Sequence, residues 1–362
     1  MKAPAIVAVA TATPGFVTTQ AQARTFATGH FADLLRDEPR LLDVFENAGI
    51  ETRHSCVPAE WVMAERSFAQ RNARYVEEAT ALGSDVARRA LERARLGAGD
   101  IDHVVYISST GIATPSIDAL IANRIGLRDD TRRTPVWGLG CAGGAAGLSR
   151  ARDFALAAPR SRVLVIALEL CSLTFLPNDR SKRNLVAMSL FADGAAAVVV
   201  EGAEVERNGA GPRASRALSM RASHSTLWKD TVDVMGWDLE EAGLRVVFSR
   251  SIPHIVVERV RPGLDAFLAA QGMTLDAIRH IVAHPGGTRV LAAYERALEL
   301  GPGALAHARD VLRGFGNMSS PSCLFVLERF LDAGDIGEGD HAMVMALGPG
   351  FSAEYVLVRG EA

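Results

Sequence analysis

Apolar positions recur along this chain in two different rhythms. Between residues 20 and 95 they fall at helical spacing, in runs rich in Ala, Arg and Glu such as 79–91. This predicts helices, interrupted near Ile50-Glu51-Thr52-Arg53-His54 and at Val57-Pro58. Short, nearly continuous apolar runs predict strands. The first is at the N-terminus, through Ala5-Ile6-Val7-Ala8-Val9. Asp102–Ser108 is the next, ending in the polar turn Ser109-Thr110-Gly111 and a break at Pro115; a short strand at Pro135-Val136-Trp137 follows. The Ala-rich stretch 145–158 predicts a helix. Arg162–Glu169 is apolar enough to be covered on both faces, and Ala195–Val200 closes the first half.

The second half repeats this order. A strand runs through Arg279-His280-Ile281-Val282, a small-residue turn spans Phe315–Ser320, and a helix opens at Ser322–Glu328. Strands at His341–Leu347 and Ala353–Val358 mirror those at 162–168 and 195–200. Ser319 lies 178 residues after Cys141, and Ala342 lies 179 after Val163. That agreement predicts an internal duplication of a βαβ-type unit, and so an α/β fold with halves 1–212 and 213–362. A pseudo-twofold arrangement would set the helix start at Cys141 opposite the one at Asn317.

Composition narrows the function classes. With 362 residues the chain exceeds one ordinary core, and 48% hydrophobic with 22% charged residues is the balance of a well-filled globular protein. A net charge of −3 leaves no basic footprint for nucleic acid or an anionic membrane. Cys56, Cys141, Cys171 and Cys323 are widely separated without a CxxC pair, which argues against a zinc site or a disulfide framework and for a reducing compartment. No apolar run reaches about 18 residues and the N-terminal one is too short for a signal peptide, so a cytoplasmic protein without integral membrane association is expected.

Candidate chemistry centres on Trp137-Gly138-Leu139-Gly140-Cys141-Ala142-Gly143-Gly144-Ala145-Ala146-Gly147. Glycines allow tight turns and close approach to main-chain N–H groups, and a helix start would stabilise a thiolate. Taken alone, Cys141 is equally a small buried thiol in a glycine-rich turn. His284, in Ala283-His284-Pro285-Gly286-Gly287, and Asn317, in Gly316-Asn317-Met318-Ser319-Ser320, also sit on turns after predicted strands, where α/β sheets bind ligands. Each alone has an ordinary reading, as a satisfied strand-end histidine and a turn or capping asparagine. Together they make a coherent set: a histidine can hold a cysteine as thiolate, and imidazole and amide N–H groups can form an oxyanion hole.

These residues carry a resemblance. Gly140-Cys141-Ala142-Gly143-Gly144, Leu190–Ala197, His284-Pro285-Gly286-Gly287, Gly316–Ser322 and Gly348-Pro349-Gly350-Phe351 are similar to the motifs of the type III polyketide synthases, the chalcone-synthase-like branch of the thiolase-fold condensing enzymes, over essentially the whole chain. The related ketoacyl-ACP synthases III share Cys, His and Asn but usually carry Gln-Ala-Asn where this chain has Pro285-Gly286-Gly287.

The resemblance implies a five-layered αβαβα core and a homodimer. It implies that acyl-CoA and malonyl-CoA are substrates, with no bound cofactor or metal. Cys141 would accept the acyl starter, and His284 and Asn317 would stabilise the enolate left when malonyl-CoA loses CO₂. Phe191 falls on an aromatic gatekeeper, and Gly348, Pro349 and Gly350 on the active-site scaffold. Ser109, Thr174 and Ser319 fall at the substrate, and Arg53 on the basic residues for coenzyme A phosphates. Val246 stands where plant members have a second gatekeeper phenylalanine, and Cys171 where they have threonine. These two changes imply a wider apolar tunnel for a fatty acyl chain, as in bacterial alkylpyrone and alkylresorcinol synthases. Thr114 stands where plant members have a methionine that crosses the dimer interface. Two alternatives stay open: a single condensation onto an acyl carrier protein, and a non-catalytic acyl-CoA-binding homologue.

Overall fold

The computed structural model describes residues 3–206 and 217–361, and the expected boundary between 212 and 213 lies outside them. The first half opens with β1 (Ala5–Ala12), β2 (Phe16–Thr19) and α1 (Gln20–His30). Two short helices, α2 (Ala32–Asp37) and α3 (Asp43–Asn47), lead to β3 (Thr52–Ser55), α4 (Ala59–Met63) and the long α5 (Phe68–Ala94). Then come β4 (His103–Ile107), α6 (Ile117–Ile125), β5 (Arg132–Val136), α7 (Gly143–Ala157), β6 (Arg162–Leu170), α8 (Lys182–Leu190) and β7 (Asp193–Glu201). The second half has β8 (Leu218–Leu227), β9 (Met235–Glu240), β10 (Gly243–Phe248), α9 (Ile252–Ala269), β11 (His280–Ala283) and α10 (Thr288–Leu298). It closes with α11 (Ala306–Phe315), α12 (Ser322–Ala333), β12 (His341–Gly348) and β13 (Ser352–Gly360).

The duplication is visible in the hydrogen bonding. One nine-stranded sheet runs β11-β12-β13-β8-β1-β7-β6-β4-β5, joined at its centre where Ala5 and Ile6 pair with Ser219 and Leu218. On one wing β4 is parallel to β6, which is antiparallel to β7, which is antiparallel to β1. On the other, β11, β12, β13 and β8 repeat those relations. The repeat is imperfect in two places. No described strand of the second wing answers to β5, and α11 occupies the corresponding stretch of chain. Residues 171–192 separate β6 from β7, whereas only 349–351 separate β12 from β13. The added segment in the first half includes a 3-10 turn at Cys171–Thr174, α8 and Phe191.

The central strands of both wings are buried on both faces, as the apolar runs predict, whereas the edge strand β5 and the outer end of β8 are exposed. On β7, Ala195, Ala197 and Val199 join one hydrophobic cluster while Ala196, Val198 and Val200 join another, and on β6 Leu164 and Ile166 part from Val163 and Val165 in the same way. This is the period of two of a strand, with helices covering each side. The helix α5 covers the outer face of β1, β6 and β7, and α9 covers the other outer face, with Phe267 6.3 Å from Tyr355 of β13. Between the wings lie α7 and α12, each touching strands of both, which completes five αβαβα layers of the thiolase type. Their contact needs glycine: a methyl group on Gly144 would lie 2.3 Å from the Ser320 carbonyl oxygen and 2.6 Å from Cys323 Sγ. The central helices therefore meet beside Cys141.

One strand limit differs from the sequence reading. The strand expected at 135–137 is β5, Arg132–Val136, and Trp137 lies beyond it, half-exposed, donating from Nε1 to the Gly111 carbonyl at 3.1 Å.

Candidate active site

After β5 the chain turns through Gly138 and Gly140, both at positive φ, into a 3-10 turn at Gly140–Ala142 that runs directly into α7. Cys141 is thereby buried at the start of a helix whose first two turns are buried. Burial pushes its thiol up to about 11, against hydrogen bonds from the Ser319 and Asn317 side chains that favour the thiolate. Ser109 holds the turn from behind, its Oγ accepting from Gly140 N at 3.1 Å. In front, Gly348-Pro349 leans on it: a methyl on Gly140 would lie 2.8 Å from Pro349 Cδ, and one on Gly348 2.4 Å from the Leu139 carbonyl oxygen. Gly350, at φ 133°, turns the chain back into β13.

His284 directly follows β11, its main-chain N–H donating to the Met345 carbonyl of β12 at 2.9 Å. Its ring is buried, neither nitrogen has a partner among the described residues, and burial lowers its pKa to about 3. Burial thus favours the neutral form of both the imidazole and the Cys141 thiol, whereas the sequence had also allowed an ion pair. Asn317 reaches both neighbours: Nδ2 donates to the Gly286 carbonyl at 3.2 Å, and Oδ1 accepts from Ser319 N at 2.8 Å. Ser319 takes φ +58°, a left-handed backbone unusual for serine, within this chain of contacts. The fold therefore draws Cys141, Asn317, Ser319, Gly286 and His284 into one continuous set.

Glu169, at the end of the apolar run 162–169, is a residue of the site that none of the sequence motifs marks. It ends the apolar β6, fully buried, and accepts from Ser109 N and Thr110 Oγ1 at 2.9 Å, Ser108 Oγ at 3.4 Å and Ser320 Oγ at 3.1 Å. The two halves of the molecule thus share one carboxyl directly behind the cysteine turn. Burial raises it to about 7, opposed by those donors. The signal was available: an acid at the end of a run covered on both faces must find partners.

Phe191 joins this centre to a cavity. Its segment pairs with Asn317, through Asn317 N to the Leu190 carbonyl and Ala192 N to the Asn317 carbonyl, both 2.9 Å. On the other side it lines a cavity of about 420 Å³ together with Cys171, Thr174, Val246 and Arg53. The cavity reaches the surface at the exposed Phe16 and Val17 of β2 and Phe26 of α1. Thr174 Oγ1 donates to the Cys171 carbonyl at 2.8 Å, which fixes that wall.

Two expectations need correction. Val246 is not an open gap: β10 pairs antiparallel with β9, and the residue directly opposite Val246 is Trp237. The indole lines the cavity and lies 6.5 Å from the Phe191 ring, so an aromatic group is supplied from the neighbouring strand. Arg53 is not a free cation for phosphate. It is buried at the edge of the cavity, and its Nη1 donates to the carbonyls of Met188 and Phe191, holding the gate segment in place. Burial lowers its pKa to about 10.

Among the described residues no group of three His, Cys, Asp or Glu is placed to hold a metal ion, and no helix is long and apolar enough to cross a membrane.

Comparison with known proteins agrees with this architecture. Residues 3–204 match the N-terminal domain of the chalcone and stilbene synthases, and residues 219–362 match their C-terminal domain. A 1,3,6,8-tetrahydroxynaphthalene synthase of Streptomyces peucetius subsp. caesius is 43% identical over 323 residues, covering 89% of this chain and 84% of that protein. The crystal structure of a 1,3,6,8-tetrahydroxynaphthalene synthase from Streptomyces coelicolor A3(2), described as a bacterial type III polyketide synthase, superposes with a TM-score of 0.92 at 31% identity over 99% of both chains. The polyketide synthase PKS-I of the brown alga Ectocarpus siliculosus superposes with a TM-score of 0.90 at 28% identity, again over 99% of both chains. With a duplicated thiolase-type core and a Cys, His, Asn set at its centre, this chain belongs to the type III polyketide synthases, acyltransferases of the chalcone and stilbene synthase family.

Proposed function

We propose that this polyketide synthase loads a fatty acyl group from its coenzyme A thioester onto Cys141, extends it with malonyl-CoA and cyclises the product to an alkylpyrone or alkylresorcinol. In the loading step the Cys141 proton passes to the neutral imidazole of His284, and the thiolate attacks the thioester carbonyl. Coenzyme A leaves with that proton. Malonyl-CoA then loses its carboxylate as CO₂. The electron pair left on the α-carbon is shared with the thioester oxygen, which accepts hydrogen bonds from the His284 and Asn317 side chains. The carbanion attacks the acyl carbonyl on Cys141 and expels the thiolate, giving a chain two carbons longer on coenzyme A. After each extension the chain returns to Cys141 and coenzyme A is released. Attack of an enol oxygen on the terminal thioester carbonyl then expels coenzyme A and closes a pyrone, whereas attack of a chain carbon on a ketone with loss of water, together with hydrolysis of the thioester and loss of its carboxylate as CO₂, closes a resorcinol.

The observation that carries the choice of starter is the cavity beyond Phe191. Its walls include Phe16, Phe26, Val62, Met63, Phe175 and Met188, and its volume of about 420 Å³ is within the usual range for small-molecule sites. The enzyme acts on this reading as a homodimer, which the exposed apolar Ile112 and Trp137 beside the Thr114 loop support.

The test is mass spectrometry of products from long-chain acyl-CoA plus malonyl-CoA, compared with malonyl-CoA alone. Alkylated pyrones or resorcinols in the first mixture support the proposal. A second reading, taken from the names of the two Streptomyces relatives, is that the chain makes 1,3,6,8-tetrahydroxynaphthalene, and formation of that product from malonyl-CoA without any acyl-CoA would favour it.

A further inference from the structure

Arg53 sits where three parts of the centre meet. Its strand β3 is tied to the chain that enters the Asn317 turn: Glu51 N and Thr52 Oγ1 donate to the Arg313 and Gly314 carbonyls, both at 2.7 Å, and the His54 ring lies 5.9 Å from that of Phe315. The Arg53 stem then lies on Gly316 itself, where a methyl group would come within 2.7 Å of its Cγ. From there the guanidinium crosses to the gate. Nη1 donates to the carbonyls of Met188 and Phe191, at the C-terminal end of α8. That helix has no basic side chain in its own last turn, so β3 supplies the cation that its carbonyl end attracts. The gate segment also touches the turn after His284, since a methyl on Gly287 would lie 3.7 Å from Leu190 Cδ2.

Arg53 is buried, and no carboxylate among the described residues offsets its charge. Burying an unpaired guanidinium is costly, and a methionine would fill much the same space without that cost. What only the guanidinium supplies is a fixed distance between the strand behind Asn317 and the two carbonyls on either side of Leu190. We infer that Arg53 is a positioning residue of the condensation: it clamps the gate segment 188–191 against the Asn317 turn, so that the Phe191 ring and the Asn317 amide keep one relation to Cys141. This role rests on the enzyme class and not on the fatty acyl starter, so malonyl-CoA, the extender under either reading of the starter, is the probe.

The test compares wild type, Arg53→Met and Arg53→Lys in CO₂ release from malonyl-CoA, with rates expressed per Cys141 that iodoacetamide can alkylate, and in the sizes of the products by mass spectrometry. A misplaced Asn317 amide stabilises the enolate less, so Arg53→Met is expected to lower kcat about tenfold at nearly unchanged KM. A loosened Phe191 is expected to broaden the range of product lengths. Arg53→Lys keeps the charge but not the fork, and is expected to fall between the two. A rise in KM at unchanged kcat would mean that Arg53 contacts the substrate instead, and would overturn the inference. So would wild-type turnover per site with the wild-type product range, which is the result for a side chain that only supports the fold. If Arg53→Met yields no folded protein, Arg53→Lys decides: wild-type turnover per site and product range in that variant overturn the inference.

Discussion

Two buried ionisable side chains, Glu169 and His284, give the centre opposing responses to pH. Glu169 titrates at about 7 in the fold against 4.5 when free, so the native state holds a proton that the unfolded chain releases. Stability from this group is complete below pH 4.5 and is lost as pH rises through about 7, by roughly 3 kcal/mol at full deprotonation. His284 acts the other way. Its pKa falls from 6.5 to about 3, so its contribution is complete above pH 6.5 and is lost as pH falls toward 3. Glu169→Gln should therefore flatten the loss of thermal stability between pH 4.5 and about 7, and His284→Gln the loss on the acid side, in melting curves taken across that range. The same reasoning applies to the thiol. Ser319→Ala removes a hydrogen bond that favours the Cys141 thiolate, so alkylation by iodoacetamide at fixed pH should slow, and an unchanged rate would remove Ser319 from that role. That Cys141, His284 and Asn317 belong together was legible in the sequence because each stands on a glycine-rich turn; Cys141 and His284 follow strands as expected, whereas the turn of Asn317 follows the helix α11 and not a strand. Glu169 was not legible, because its significance lies in four donors drawn from both halves of the chain.

At the scale of single elements, the β9–β10 hairpin shows what one-dimensional reading misses. Val246 marked a missing ring, but the strand partner that supplies one is set by register, and only the pairing reveals Trp237 opposite it. Trp237→Ala should enlarge the cavity beside Phe191 and shift competition between acyl-CoA starters toward longer or bulkier chains. Competition assays with mixed starters measure this, and unchanged selectivity would show that the indole does not limit the site. The contact between the central helices has the reverse character. Gly144 lies where no side chain fits, so Gly144→Ala should overpack the space against Ser320 and Cys323 and cost about 1–3 kcal/mol, read as a lowered melting temperature. The glycine run was plain in the sequence, but whether it served a substrate or a neighbouring helix was not. The structure places Gly144 against α12 and reserves Gly140 for the turn itself. Arg53 belongs here too: a basic residue in a polar stretch reads as a surface cation until the fold closes around it.

For the whole molecule, the duplication has a consequence for how the chain unfolds. Each half has its own wing of strands, and the sequence repeat that exposed them could suggest two independent domains. The layers argue otherwise. Nine residues of α7 are buried, and the helix touches β4, β6 and β7 on one side and β8, β12 and β13 on the other. The helix α12 is covered in the same way by β1 and β7 of the first half and β11 and β12 of the second. Beyond the exposed C-terminal residues of each, the buried faces of the two central helices would lose their cover if the other half were removed. Glu169 would lose Ser320, and Phe191 would lose the backbone of Asn317. Residues 217–362 expressed alone would expose the apolar face of α12 and the edge strand β8, which is a condition for aggregation. The intact protein should therefore melt in one calorimetric transition, with the wings losing structure together. The isolated second half should show neither cooperative unfolding nor dispersed amide resonances. A folded second half, or two resolved transitions in the whole chain, would mean that the central layer is an interface between domains, whereas the packing of α7 and α12 makes it their common core.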